Sequence, residues 1–206
     1  MIGQGASKTT LREERQRLAL YRQYLPSLEL KRRQFLWELN RARAAEAELA
    51  AALAALRQQA SDWLACLGGC RQDLRGLVRV AGVELEEESV LGLRLPRLAS
   101  VEVARADYPF LVLPLWVDAL ADYLARAAEL EVARQVAGRR TSLLAAGLRQ
   151  ITQRVNLFEQ VLIPSAQAAI RRITIFLGDA ERSAVVRGKQ AKAKAGRGRR
   201  SWPSSP

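Results

Sequence analysis

Leu25-Pro26-Ser27-Leu28-Glu29-Leu30-Lys31-Arg32-Arg33-Gln34-Phe35-Leu36-Trp37-Glu38-Leu39 is the stretch on which the fold turns. Leu25, Leu28, Phe35 and Leu39 fall on one heptad seam, and the seam extends in both directions. One position holds Leu11, Leu18, Leu25, Leu39 and Leu53; the other holds Tyr21, Leu28, Phe35, Ala42, Leu49, Leu56 and Trp63. Glu14, Arg32 and Glu46 interrupt the seam, but its phase is never lost. A phase kept from Thr10 to about Trp63 predicts a coiled-coil helix, roughly 80 Å long at the helical rise. Pro26 lies inside it and predicts a kink, because the same phase resumes on its far side. Thr10-Leu11-Arg12-Glu13 fits a capping box at the start.

A second seam of the same kind occupies the later half of the chain. Leu113, Leu120, Ala127, Leu148, Val155, Leu162, Ala169 and Phe176 hold one position. Trp116, Tyr123, Leu130, Ala137, Leu144, Ile151 and Phe158 hold the other, with Arg134, Thr141, Ser165 and Arg172 as interruptions. This helix begins near Tyr108-Pro109 and runs to about Phe176, with Pro114 tolerated in a first turn and a second kink expected at Pro164.

The segment between the helices has a different character. Gly68-Gly69 ends the first pattern. Leu77 to Val80 and Val83 to Leu85 are short β-prone runs, and Glu86-Glu87-Glu88 reads as a turn or loop. Val90 to Leu95 alternates until Pro96 stops it, and Val101-Glu102-Val103 adds a third short strand. A hairpin region this small needs support, and the helix ends are expected to supply it.

The expected architecture is therefore mainly α: a long antiparallel two-helix coiled coil, a small β-hairpin region between the helices and a basic disordered C-terminal tail. The boundaries are 1–66 for the first helix, 67–107 for the hairpin region, 108–180 for the second helix and 181–206 for the tail. Exposed seams would not persist in water, so the helices must fold back on each other, with both chain ends at one tip.

Composition narrows the function. The 206 residues carry 33 basic and 21 acidic side chains, a formal charge of +12. Eight basic residues follow Glu181 with no acidic one, so the tail holds most of the excess. Such a tail suits an acidic protein cavity, an anionic surface or nucleic acid. Only Trp202 is interleaved with the tail charges, so no base-stacking platform is apparent.

The chain contains no histidine, which removes the commonest general base and the commonest zinc ligand. Cys66 and Cys70 lack two further ligands for a metal and read as free thiols. Gly188-Lys189 lacks the remainder of a phosphate loop. No constellation of nucleophile, base and orienting group is present. No catalytic residue, metal site or cofactor is expected. The start of the chain has no apolar leader and no membrane span is expected, so the chain reads as soluble and cytoplasmic.

Gln153-Arg154-Val155-Asn156-Leu157-Phe158-Glu159-Gln160-Val161-Leu162-Ile163-Pro164 resembles the RRVNALE-x-VLIP stretch of the family of V-type ATPase D subunits, including its proline inside a helix. Ser7-Lys8-Thr9-Thr10-Leu11 and Leu28 to Leu36 resemble the family's TK-x-x-L opening and its LLK-x-KR-x-x-L helix. Ser89 to Pro96 resembles its GVKVP strand. Departures are Leu25-Pro26-Ser27, where the family has a glycine and a basic residue, and Gln153 in place of the first motif arginine.

The resemblance spans about residues 7 to 180 and implies a mechanical role. The chain would be a non-catalytic central rotor shaft of a V-type ATP synthase or ATPase. It would pair with the small F subunit of the central stalk, enter the ring of A and B catalytic subunits, and engage a C/d-type adaptor on the membrane rotor, peripheral to the membrane. The resemblance further implies partner contacts at Lys31, Arg32, Arg33, Arg154, Asn156 and Glu159. The competing class is a basic coiled-coil protein that binds nucleic acid or an anionic surface.

Overall fold

The computed structural model describes residues 6–64, 76–106 and 116–198. Cys66, Cys70, Gly68-Gly69, Leu113, Pro114 and Trp202 lie outside them. Five elements follow in order: α1 (Lys8–Leu64), β1 (Val78–Val90), β2 (Leu93–Arg105), α2 (Trp116–Asn156) and α3 (Ile163–Gly198), with a π-helical turn over Leu157–Leu162 joining α2 to α3. The chain is mainly α, with one two-stranded antiparallel hairpin between long helices. It divides into two compact units, Leu30–Thr152 and a second made of Met1–Glu29 with Gln153–Pro206.

The seam of α1 is inward throughout. Leu11, Glu14, Leu18, Tyr21, Leu25, Leu28, Arg32, Phe35, Leu39, Ala42, Glu46, Leu49, Leu53, Leu56 and Ala60 are buried or half-buried, while the residues between them are mostly exposed. The helix is unbroken across Pro26. Its cap sits three residues earlier than the Thr10–Glu13 box predicts. The Thr10 amide donates to Ser7 Oγ at 3.1 Å, and the Ser7 amide donates to Thr10 Oγ1 at 2.9 Å. The pair satisfies two end donors reciprocally, as a capping box does, with threonine in the place of glutamate.

In Leu30–Thr152, α1 and α2 run antiparallel. Phe35 lies against Gly147, and Glu46 lies against Gly138. Leu144 is fully buried and Ile151 nearly so, as the seam expects. The charged seam residues avoid the core. No buried polar or charged side chain occurs among the described residues. Arg134 stays half-exposed and donates to Glu131 at 2.6 Å. Those bonds, with one from Gln135, lower the Glu131 carboxyl to about 2.

The hairpin corrects three expectations. It has two strands of 13 residues rather than three short ones, and Val101 to Val103 belongs to β2. Glu86 to Glu88 is part of β1, not a turn, because cations compensate it. Glu86 pairs with Arg97 in register, Arg94 lies 3.8 Å from Glu87, and Arg140 donates to Glu88 at 2.7 Å. Pro96 does not stop β2. In a ribbon of two strands each backbone has one edge without a ladder, where a missing amide costs little.

The reversal is a two-residue loop, Leu91-Gly92, with φ of 55° and 85°. Positive φ at both positions matches the right-handed twist of the strands. For leucine this is strained, by about 1 kcal/mol or more.

The hairpin lies along the flank of α2 and not on the helix ends. Its base is fixed near the start of α2 by an Arg105–Asp122 pair at 2.6 Å and by Leu77 packed with Val117, Leu120 and Ala121. Its tip reaches Gly147, where a Cβ would meet Leu93 Cδ1 at 2.6 Å and Phe35 Cε1 at 2.7 Å. The match of lengths is physical. A strand of this size spans about 40 Å, close to the rise of the α2 segment between those contacts. Leu95, fully buried, anchors β2 between base and tip.

In the other unit, the start of α1 lies against the π turn and α3. Tyr21 meets Phe158 edge to face at 5.6 Å, and Lys8 pairs with Glu181 at 3.4 Å, again antiparallel. Here the second seam departs from its expected phase. Val155, Phe158 and Leu162 are inward as predicted, but Ser165 and Phe176 are exposed, Phe176 at 56%. The inward residues are Ala166, Ile170, Ile173 and Leu177, each one place later than a continuous heptad requires.

The π turn supplies the shift. The Ile163 amide donates to Phe158 O, five residues back, so the turn holds one extra residue. Pro164 has no amide to offer the Gln160 carbonyl, which favours such a widened turn.

The basic segment after Glu181, expected to be disordered, is helical through Gly198. Alanine, lysine and arginine are strong helix formers, and the helix continues on local propensity with every side chain from Glu181 to Lys194 exposed.

Trp116–Lys194 is long and apolar enough, by length and composition, to cross a membrane, and only 6% of its most apolar window is buried. A second apolar face is outward, with Val161 of the π turn and Ile175 of α3 exposed at 53% and 65%, while Ala166, Ile170 and Ile173 are buried or half-buried.

Candidate contact surfaces

Among the described residues, no group of three or more Cys, Asp or Glu is placed to hold a metal. The clefts are open grooves. One, of 630 Å³, is formed by Ala52, Ala55 and Leu56 of α1, Leu98 to Val101 of β2, and Arg126, Glu129, Leu130 and Ala133 of α2. Alanines on α1 leave it: they are too small to fill the space between helix and strand.

A second groove, of 460 Å³, lies between α1, the outer half of the hairpin and α2. Its lining includes Arg41, Arg97 and Arg140 against Glu38 and Glu88. The Arg140 hydrogen bond and charge, with Arg97 and Arg41 adding to them, hold the Glu88 carboxyl below its ordinary range.

The candidate contact residues fall in two places. Lys31 and Arg33 are exposed on α1 within Leu30–Thr152, and Arg32 between them occupies a half-buried seam position. Lys31 Nζ lies near the hairpin tip, 4.0 Å from where a Cβ on Gly92 would be. Arg154, Asn156 and Glu159 are exposed around the start of the π turn, flanking inward Val155 and Phe158. Beside them Leu157 and Val161 are exposed at 47% and 53%.

Sequence reasoning missed one prominent surface feature, Trp37. It is 62% exposed, with Arg41 Cζ 5.6 Å from its ring centroid. The signal was available: Leu30 and Trp37 are large apolar residues seven apart, off the seam.

Each unit pairs two long helices antiparallel, and in one of them a hairpin is laid along α2, which defines a mainly helical protein of the coiled-coil class. The chain belongs to the family of ATP synthase D subunits, whose model matches residues 10–193. It is 30% identical over 187 residues to the V-type ATP synthase D subunit of Borreliella burgdorferi, covering 91% of this chain and 92% of that one. It is 33% identical over 193 residues to the V-type ATP synthase D subunit of Chlamydia muridarum, covering 91% and 94%.

Proposed function

We propose that this chain is the central-stalk shaft of a rotary V-type ATP synthase, a non-catalytic component that couples ATP chemistry to ion transport by turning. The observation that carries this reading is the family match over residues 10–193, which takes in both long helices and the hairpin. The mechanism follows from shape. An asymmetric rod within a ring of three equivalent catalytic sites cannot contact them alike. Each angle of the rod favours a different state at each site, which is coupling through differential contact.

In this reading the arm of α1 and α3 enters the ring of A and B subunits, a small F-type protein binds along the shaft, and a C/d-type adaptor joins it to the membrane rotor. Lys31, Arg33, Arg154, Asn156 and Glu159 are the polar contacts offered, with Arg32 serving from the seam. The chain works on the cytoplasmic side, peripheral to the membrane. The second apolar face of α3 then serves protein contact instead of a membrane span.

The experiment is native extraction of the tagged chain. It should co-purify with nucleotide-binding ring subunits, and membranes lacking it should retain no ATP-driven ion pumping. Pumping that persists without the chain would exclude the shaft role.

A further inference from the structure

One face of α1 in Leu30–Thr152 carries Leu30, Arg33, Trp37 and Arg41, spaced at three, four and four residues and therefore aligned. All four are exposed, Leu30 at 56% and Trp37 at 62%. Large apolar residues in this alignment usually mark a seam, yet the seam of α1 lies on another face. Arg41 sits over the Trp37 ring and also lines the 460 Å³ groove, so the aromatic face and the groove form one continuous surface.

The charge of that surface is net positive. The groove holds three arginines against two glutamates, and Glu88 is already engaged by Arg140. Among the described residues, Arg97 and Arg41 have no carboxylate at salt-bridge distance, and Arg33 adds a further cation on the helix face. A pre-stacked tryptophan beside arginines is also the composition that dominates binding energy in protein interfaces.

We propose that this surface docks an acidic segment of a protein partner, with an apolar side chain against Trp37 and Leu30 and carboxylates in the groove on Arg41 and Arg97. Arginine forks match carboxylates bidentately, which fixes orientation as well as affinity. The inference rests on the shaft reading for its supply of partner proteins, but its failure is separable. A chain that assembles with Trp37 still open would retain the shaft role and lose this site.

The test uses the full chain with Trp63→Phe, Trp116→Phe and Trp202→Phe, expressed with 5-hydroxytryptophan and assembled with unlabelled partners, so that position 37 is the sole emitter when excited beyond the absorption of ordinary tryptophan. Iodide quenching is measured on the free chain and on the native assembled complex. The expected result is strong quenching when free and a several-fold loss of quenching on assembly. Arg41→Glu and Arg97→Glu should each weaken assembly tenfold or more, and Arg57→Glu, outside the groove, should not. Helical circular dichroism identical to the parent chain establishes that each variant folds. Equal quenching in the free and assembled states overturns the proposal. So does protection of Trp37 by a 20-nucleotide single strand without protection on assembly, since the surface would then serve nucleic acid.

Discussion

Pro26-Ser27 and Pro164-Ser165 are the same dipeptide placed inside long helices, and the helices answer differently. In both, the serine hydroxyl donates three residues back, Ser27 to Tyr24 O at 2.7 Å and Ser165 to Leu162 O at 3.0 Å, satisfying a carbonyl near the proline's gap. Yet α1 keeps its phase across Pro26, whereas a π turn precedes Pro164.

The proline alone therefore does not decide the response; the apolar phase beyond it does. After Pro26 the in-phase residues are Leu28, Phe35 and Leu39. After Pro164 they would be Ser165, Ala169, Arg172 and Phe176, while one place later stand Ala166, Ile170, Ile173 and Leu177. One extra residue in the turn brings the second set to α1 and leaves Arg172 in water, where a charge costs least.

This contrast can be broken by changing the count of residues. Deleting Gln23 puts one side of Pro26 out of phase with the other. The expected loss exceeds about 4 kcal/mol, in the exceptional range for a single change. Deleting Gln160 together with Pro164→Ala removes the extra residue and its cause. That variant should form a plain α-helix with the same inward residues and melt within a few degrees of the parent. If the two deletions cost the same, the phase explanation is wrong.

Substitution sharpens it further. Ile173→Asp places a carboxylate in the shifted seam and should cost about 2–3 kcal/mol, whereas Phe176→Asp, at an exposed site, should stay within about 0.5 kcal/mol. Urea melts of both give the answer, and the opposite ranking would restore the continuous heptad.

In the unit that contains the hairpin, Gly147→Val should cost about 1–3 kcal/mol by overpacking against Leu93 and Phe35. Gly82→Ala, where a Cβ meets only Glu102 at 3.4 Å, is the matched control. The smallest effect is acid. Glu131 and Glu88 have carboxyl pKa values lowered in the fold, so their stabilisation is present above the ordinary carboxylate value and is lost as pH falls from about 4.5 towards 2. Both are surface groups, so Arg140→Gln should lower stability by less than about 1 kcal/mol at neutral pH and flatten the acid limb.

The contrast also explains what is legible in the sequence. The seam of α1 can be read residue by residue because one phase holds from Leu11 to Leu56, whereas the apolar residues off it, such as Leu30 and Trp37, do not sustain a second phase along the helix. In the second helix Leu162, Ala169 and Phe176 continue the old phase with apolar residues, so the slip at the π turn leaves no mark in the pattern. The hairpin is visible but divided, because an acidic run and a proline are local turn signals. Their cancelling partners, Arg140 and the open ribbon edge, emerge only in three dimensions. The groove arginines come from α1, β2 and α2, so no spacing in the chain announces them. Trp37 is legible as an apolar residue off the seam, but it is masked by the charged neighbours that carry the family motif.

The hairpin along α2 has a mechanical consequence. Where Phe35, Leu93 and Gly147 meet, a cut across the unit passes through two helices and a ribbon bonded side by side. A cut through the arm passes through two helices alone. Resistance to twisting grows steeply with the width of a section, so the ribbed section of Leu30–Thr152 resists twist more than a pair of helices alone would. The ribbon thus acts as a rib that stiffens the unit to which it belongs.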